Sequence, residues 1–235
     1  MRHRSLFVVV SSCFAATVVC LVVAAVFASA PPENKYAVAE LKEPAPDVLA
    51  ADIGAALGKT GYRVTGAEGK TICDVWLRAE MPVIAKFQEQ FDIKYPIEPG
   101  TLVGAIRFPA ATTDYRKQAI KQAVYTLRYG HQPQDGNHLG TAQFRDFVTI
   151  APAAEDKSPA TLDPEKALDL SKKATGTTHP AILSLLPPSK RDKLPTMAHD
   201  DTLNLEVLVA KTAAKPGGAA KEVQIELVAV GHAPE

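Results

Sequence analysis

Short runs in which apolar and polar residues alternate, set between strong turn signals, constrain this chain more than any other feature. Val124, Thr126 and Arg128 alternate with Tyr125, Leu127 and Tyr129. Leu203, Leu205, Val207 and Val209 alternate with Asn204, Glu206 and Leu208, and Val223, Ile225 and Leu227 with Gln224, Glu226 and Val228. A period of two puts one set of side chains on each face of a strand. One wet face and one buried face is the pattern of antiparallel sheets, because parallel sheets are covered on both sides.

Turn chemistry links the runs. Gly66–Lys70 separates Tyr62–Thr65 from Ile72–Arg78 and predicts a hairpin. Lys215-Pro216-Gly217-Gly218 predicts a second hairpin between the two C-terminal runs. Thr101–Phe108 starts after Pro99-Gly100 and stops at Pro109, and Phe144–Ile150 is a further short strand. One helix is well signed. Asp163 suits the N-cap, Pro164 and Glu165 the first turn, Lys172 and Lys173 the last turn, and Gly176 the C-cap. A second helix is expected around 83–91 and a short third one over 49–57. A single firm helix cannot cover both faces of a large parallel sheet. The expected fold is therefore mainly β, an antiparallel β-sandwich with one helical insertion near 163–175.

The N-terminus has a different composition. Arg2, His3 and Arg4 precede an apolar run from Leu6 to Ala28, and Ala28-Ser29-Ala30 then leads into Pro31-Pro32. A short positive region, an apolar stretch and an A-x-A site predict a secretory signal peptide over 1–30. The alternative is an uncleaved membrane anchor through residues 6–28, since the run is long enough to cross ~30 Å of hydrocarbon as a helix. Residues 31–50, with Pro31, Pro32, Pro44 and Pro46, are expected as a linker, and residues 51–235 as the β-sandwich domain. The expected location is exported, periplasmic or extracellular.

Charge and cysteine count narrow the function classes. The chain has 26 basic and 26 acidic residues, whereas a nucleic-acid binder needs a basic excess to neutralise phosphates. Losing residues 1–30 takes Arg2 and Arg4 and leaves 24 basic against 26 acidic, a net charge of −2. Cys13 and Cys20 go with the leader, so Cys73 has no partner for an internal disulfide. Its alternation with Val75 and Leu77 places it toward the core as a small apolar group. No G-x-S-x-G elbow, phosphate loop or dinucleotide fingerprint occurs.

Three stretches carry a resemblance: TICDVWLRAE at 71–80, the segment from Gly100 to Asp156, and ATGTTHPAILSLLP from Ala174 to Pro187. Together they resemble a family of exported bacterial proteins with no assigned activity, so the resemblance implies export and no functional residue. Ile120-Lys121-Gln122-Ala123-Val124-Tyr125-Thr126-Leu127 is loosely similar to the I-x-x-G-x-Y-x-L strand of transthyretin-like β-sandwich domains, with Ala123 in place of the glycine. That similarity implies the sandwich class only.

The candidate ligand or metal site lies between two of the strands. Gly130–Gly140 contains His131, Asp135 and His138, and Arg145 and Asp146 follow closely. Imidazoles and carboxylates on a loop are ligand types for zinc and other transition metals. The His131-to-His138 spacing matches no standard zinc pattern, and the loop supplies no thiolate. No cofactor is expected, with a divalent metal as the alternative. His199-Asp200-Asp201 reads as a turn beside a strand. Trp76, Tyr125 and Tyr129 read as core residues, with a sugar-stacking platform as the other possibility.

The preferred expectation is a non-catalytic envelope protein that binds a protein or carbohydrate partner, with no nucleic acid. The alternative is a metal-binding protein or metal-assisted hydrolase using the 131–138 loop.

Overall fold

The computed structural model describes residues 35–133, 144–215 and 222–233. Within them the alternating runs pair laterally into two sheets. The strands are β1 (Ala37–Leu41), β2 (Gly61–Thr65), β3 (Thr71–Leu77), β4 (Glu80–Met81), β5 (Leu102–Phe108), β6 (Thr112–Thr113), β7 (Ala119–Ile120), β8 (Ala123–His131), β9 (Asp146–Pro152), β10 (Ile182–Ser184), β11 (Thr196–Asp200), β12 (Leu205–Ala214) and β13 (Glu222–Val230). The larger sheet has the order β1-β2-β3-β5-β8-β9-β10, with every pairing antiparallel. The smaller has the order β11-β12-β13, and β4 joins the far end of β12 in parallel. β6 and β7 form a separate two-stranded ribbon.

The main core lies between the two sheets. Cys73, Val75 and Leu77 of β3, Tyr125, Leu127 and Tyr129 of β8, and Val148 and Ile150 of β9 pack with Leu208 and Ala210 of β12 and Val223, Ile225 and Leu227 of β13. Burying each such aliphatic side chain contributes roughly 1.5–3 kcal/mol. The chain is thus mainly β and sandwich-like, as the period of two requires. One seam between the sheets is stitched by backbone: Leu185 bridges Leu227, and the Leu186 N–H donates to the Glu226 carbonyl at 3.0 Å.

The outer face of the larger sheet is covered as well. Trp76, Leu102 and Ala105 pack there with Leu41, Leu49, Ile53 and Leu57. The last four come from β1, the short helix α1 (Ala51–Ala56) and their flanks. The helix expected at the C-terminal insertion is α2 (Pro164–Thr175). Asp163 Oδ1 accepts from the Glu165 and Lys166 N–H groups, and Gly176 closes the helix with left-handed backbone.

Two sequence expectations meet a different structure. The linker expected over 31–50 contains β1, which pairs with β2 from Ala37↔Thr65 to Leu41↔Gly61. Its prolines hide a strand because Pro44 and Pro46 fall after it rather than within it. The helix expected around 83–91 does not form. Its backbone bonds go instead to a returning limb, Ile84 N–H to the Pro96 carbonyl at 2.8 Å and Gln90 N–H to the Ile93 carbonyl at 3.0 Å. Ile93, Tyr95 and Ile97 are buried at alternate positions, so core packing overrides local helix propensity. The expected leader lies outside the described residues. No described helix is long and apolar enough to cross a membrane.

Candidate functional site

Strand β8 carries Tyr129 and His131 two residues apart, and therefore on one face. Strand β9 begins at Asp146, and the register sets Asp146 directly opposite His131. The Tyr129 hydroxyl sits between them. It donates to Asp146 Oδ1 and lies 2.8 Å from His131 Nε2. The Tyr129 and His131 rings meet edge to face with centroids 5.1 Å apart.

The 92–97 segment closes this end of the sandwich. The Lys94 backbone N–H donates to Asp146 Oδ2 at 2.7 Å. The Tyr95 hydroxyl donates to the Leu186 carbonyl at 2.7 Å and accepts from the Glu226 N–H at 3.0 Å. Its ring is 6.2 Å from that of Tyr129. Arg145 ties the same segment to the strand ends. Its N–H donates to the Asp92 carbonyl at 2.9 Å, its Nε donates to the Gln132 carbonyl at 2.6 Å, and its Nη1 lies 3.6 Å from Asp92 Oδ2.

Electrostatics follow from burial. Asp146 is 1% exposed, and desolvation pushes its carboxyl above the ordinary range, while the Tyr129 hydroxyl and the Lys94 and Tyr95 N–H groups pull it back down. Desolvation raises the Tyr129 and Tyr95 hydroxyls far above a free phenol, so both stay protonated. Burial, with the Arg145 charge adding, pushes the His131 imidazole below its ordinary value, and Asp92 opposes the shift. Carboxyl, phenol and imidazole thus form a hydrogen-bonded relay from the interior to a half-buried histidine.

Three of the five residues singled out in the sequence meet here. His131 and Asp146 join through Tyr129, and Arg145 braces the loop beside them without bonding either. Asp135 and His138 lie outside the described residues. Among the described residues, no group of three or more histidine, cysteine or acidic side chains is placed to hold a metal ion. Sequence reasoning missed Tyr129 as the link, although its position two residues before His131 on an alternating strand was a usable signal. Nothing local to the sequence marks Asp92, Lys94 and Tyr95 as neighbours.

The other polar constellations are structural. His199 Nδ1 lies 2.8 Å from Glu206 Oε1 across β11 and β12, while Asp200 Oδ1 accepts from the Thr202 and Leu203 N–H groups and makes the expected turn. Trp76, Tyr125 and Tyr129 are buried and offer no open ring face for a sugar. Trp76 Nε1 donates to the Glu43 carbonyl at 3.0 Å, and the Arg107 guanidinium stands 5.3 Å from its ring centroid. Among the described residues an exposed aromatic lies elsewhere. Phe91 is 85% exposed and precedes Asp92, the residue that holds Arg145.

No known protein family matches the chain. No curated protein matches it, and no solved structure does.

Proposed function

We propose that this chain is an exported, non-catalytic binding protein of the cell envelope, which engages a protein or carbohydrate ligand through the end of the sandwich built from the 86–95 segment and the β8–β9 strand ends. The observation that carries the reading is Phe91. Phe91 is 85% exposed and directly precedes Asp92, whose carbonyl accepts from the Arg145 N–H, so this end of the sandwich presents a large apolar ring next to a polar strand end. Loops fixed at one end of a rigid sandwich are a common place for recognition. The leader read in residues 1–30 supports export.

The polar chemistry at this end supports binding rather than turnover. Asp146 is 1% exposed and already accepts from Tyr129 and Lys94, so it is spoken for by the fold. A general base must reach its substrate within hydrogen-bond distance.

The test is a titration of the purified 15N-labelled chain with soluble oligosaccharides and with peptides derived from envelope proteins. Shift changes clustered at Phe91, His131 and Arg145, and lost in Phe91→Ala, are the expected result. Turnover of glycoside, ester or peptide substrates that disappears in His131→Ala would overturn the non-catalytic reading.

A metal-binding reading keeps one specific support. His131 is backed by a phenol and a carboxylate, the kind of outer support that orients metal-bound imidazoles. Metal analysis of the untagged protein tests it. Less than one equivalent of metal, unchanged by His138→Ala, ends that reading.

A further inference from the structure

The relay through Tyr129 fixes more than distances, because each atom in it has a limited number of protons to give. A phenol carries one proton and can donate once. The Tyr129 oxygen faces two possible acceptors, Asp146 Oδ1 and His131 Nε2. Asp146 Oδ2 is already an acceptor for the Lys94 N–H at 2.7 Å. Tyr129 donates to Asp146 Oδ1, and where the carboxylate is ionised it can only accept, so the single phenol proton stays on that contact. The contact with His131 can then be a hydrogen bond only if Nε2 carries a proton and donates to the phenol oxygen. Burial and the Arg145 charge disfavour the imidazolium, and a neutral imidazole has one N–H only. With that proton on Nε2, the lone pair is on Nδ1.

We propose that Asp146, acting through Tyr129, fixes His131 as its Nε2–H tautomer and so makes Nδ1 the acceptor atom that this end of the sandwich offers a ligand. Asp146 and Tyr129 are positioning residues in this scheme. The ligand chemistry that fits is a hydrogen-bond donor, an amide N–H or a hydroxyl, rather than a carbonyl or carboxylate oxygen. The use of the lone pair rests on the binding reading above, whereas the tautomer itself is a property of the unliganded chain.

Substitution of Asp146 makes an opposed demand on the relay. In Asp146→Asn the Lys94 N–H still requires an acceptor, so the amide oxygen takes the place of Oδ2 and the amide NH2 takes that of Oδ1. The amide then donates to the Tyr129 oxygen. Tyr129 must turn its proton to His131 Nε2, and the imidazole proton moves to Nδ1. Tyr129→Phe removes the relay and leaves His131 free to sample both tautomers.

The experiment is a long-range 1H–15N correlation spectrum of the 15N-labelled full chain near neutral pH, without ligand. The expected wild-type pattern is a protonated Nε2 and an unprotonated Nδ1 at His131. The Asp146→Asn pattern is expected to be its inverse, and Tyr129→Phe to give a mixture. A wild-type Nδ1–H tautomer, an imidazolium, or an unchanged Nε2–H tautomer in Asp146→Asn overturns the proposal. If Asp146→Asn does not fold, the wild-type and Tyr129→Phe spectra decide. A change in tautomer is not a consequence of packing loss alone. The ligand titration is a separate measurement, so failure of the binding reading and failure of the tautomer assignment are told apart.

Discussion

Arg128 and Asp156 form an ion pair in which both side chains are buried, at 0% and 1% exposure, with Nε 2.7 Å from Oδ2. The rest of each group is also satisfied. Arg128 donates to the carbonyls of Gly100, Ser158 and Ala160, and Asp156 accepts a further hydrogen bond from Thr126 Oγ1 at 2.7 Å. The pair pins the 156–160 segment against β8. Removing one partner leaves a buried charge uncompensated. Asp156→Ala is expected to destabilise the fold by about 3–5 kcal/mol. Urea denaturation followed by circular dichroism measures it. A loss under about 1 kcal/mol would mean that water reaches Arg128.

Gly100 stands under the same segment. Its φ is +86°, a left-handed value, and a Cβ there would lie 1.9 Å from the Leu162 carbonyl oxygen. Its own carbonyl accepts from Arg128 and from the Leu162 N–H. Gly100→Ala therefore adds backbone strain and a clash that only movement of the 160–163 segment relieves. The expected cost is at the upper end of single substitutions, about 3 kcal/mol or more. The same denaturation experiment checks it, and a variant as stable as the wild type contradicts the geometry.

Cys73 gives a pH signature. It is fully buried, and desolvation, with Asp74 adding, pushes its thiol up to about 12 from an ordinary value of 9.0. Above the unfolded value the unfolded chain has released this proton and the folded chain has not. The folded state then binds more protons, so stability falls as pH rises through this window, by up to about 1.4 kcal/mol per pH unit for this one group. Between about pH 9 and 10, before the tyrosines titrate, Cys73→Ala is expected to flatten that slope. Thiol-reactive probes are expected to label the native protein only at the rate of unfolding. Rapid labelling of folded protein would show the thiol to be accessible.

The N-cap of α2 is a local prediction. Asp163→Ala removes the acceptor for the Glu165 and Lys166 N–H groups. The expected loss is about 1 kcal/mol, with faster amide exchange in the first turn of the helix. Unchanged exchange at Glu165 and Lys166 would show the cap to be dispensable.

Phe91 separates binding from stability. Phe91→Ser removes an exposed ring that supports no core, so the melting behaviour is expected to stay within about 0.5 kcal/mol of the wild type. Loss of ligand-induced shifts with unchanged stability is the expected pair of results. A large loss of stability would place the ring in the fold rather than on its surface.

Much of the fold was legible in local sequence. The alternation in β8 and β13 assigned Tyr125, Leu127, Val223, Ile225 and Leu227 to the buried face, and these residues line the main core. The signs for α2 were equally local, since Asp163, Pro164 and Gly176 act within one turn of their own positions. The 83–91 segment misled because its apolar residues answer to Ile93, Tyr95 and Ile97 on the returning limb, not to each other. β1 was missed because a five-residue edge strand between proline-rich flanks carries little periodic signal.

The candidate site divides in the same way. By itself the sequence put Tyr129 on an alternating strand and His131 in the loop after it, whereas β8 runs on to His131 and so sets the two on one face. The sequence also determined that Asp146 and Arg145 stand near the start of the next strand. Only the tertiary structure decided that Asp146 faces His131, that Tyr129 lies between them, and that the Lys94 N–H reaches the carboxylate from fifty-two residues away. Register and loop closure are set by how two sheets and a strap fill one core together, and no local pattern encodes that sum.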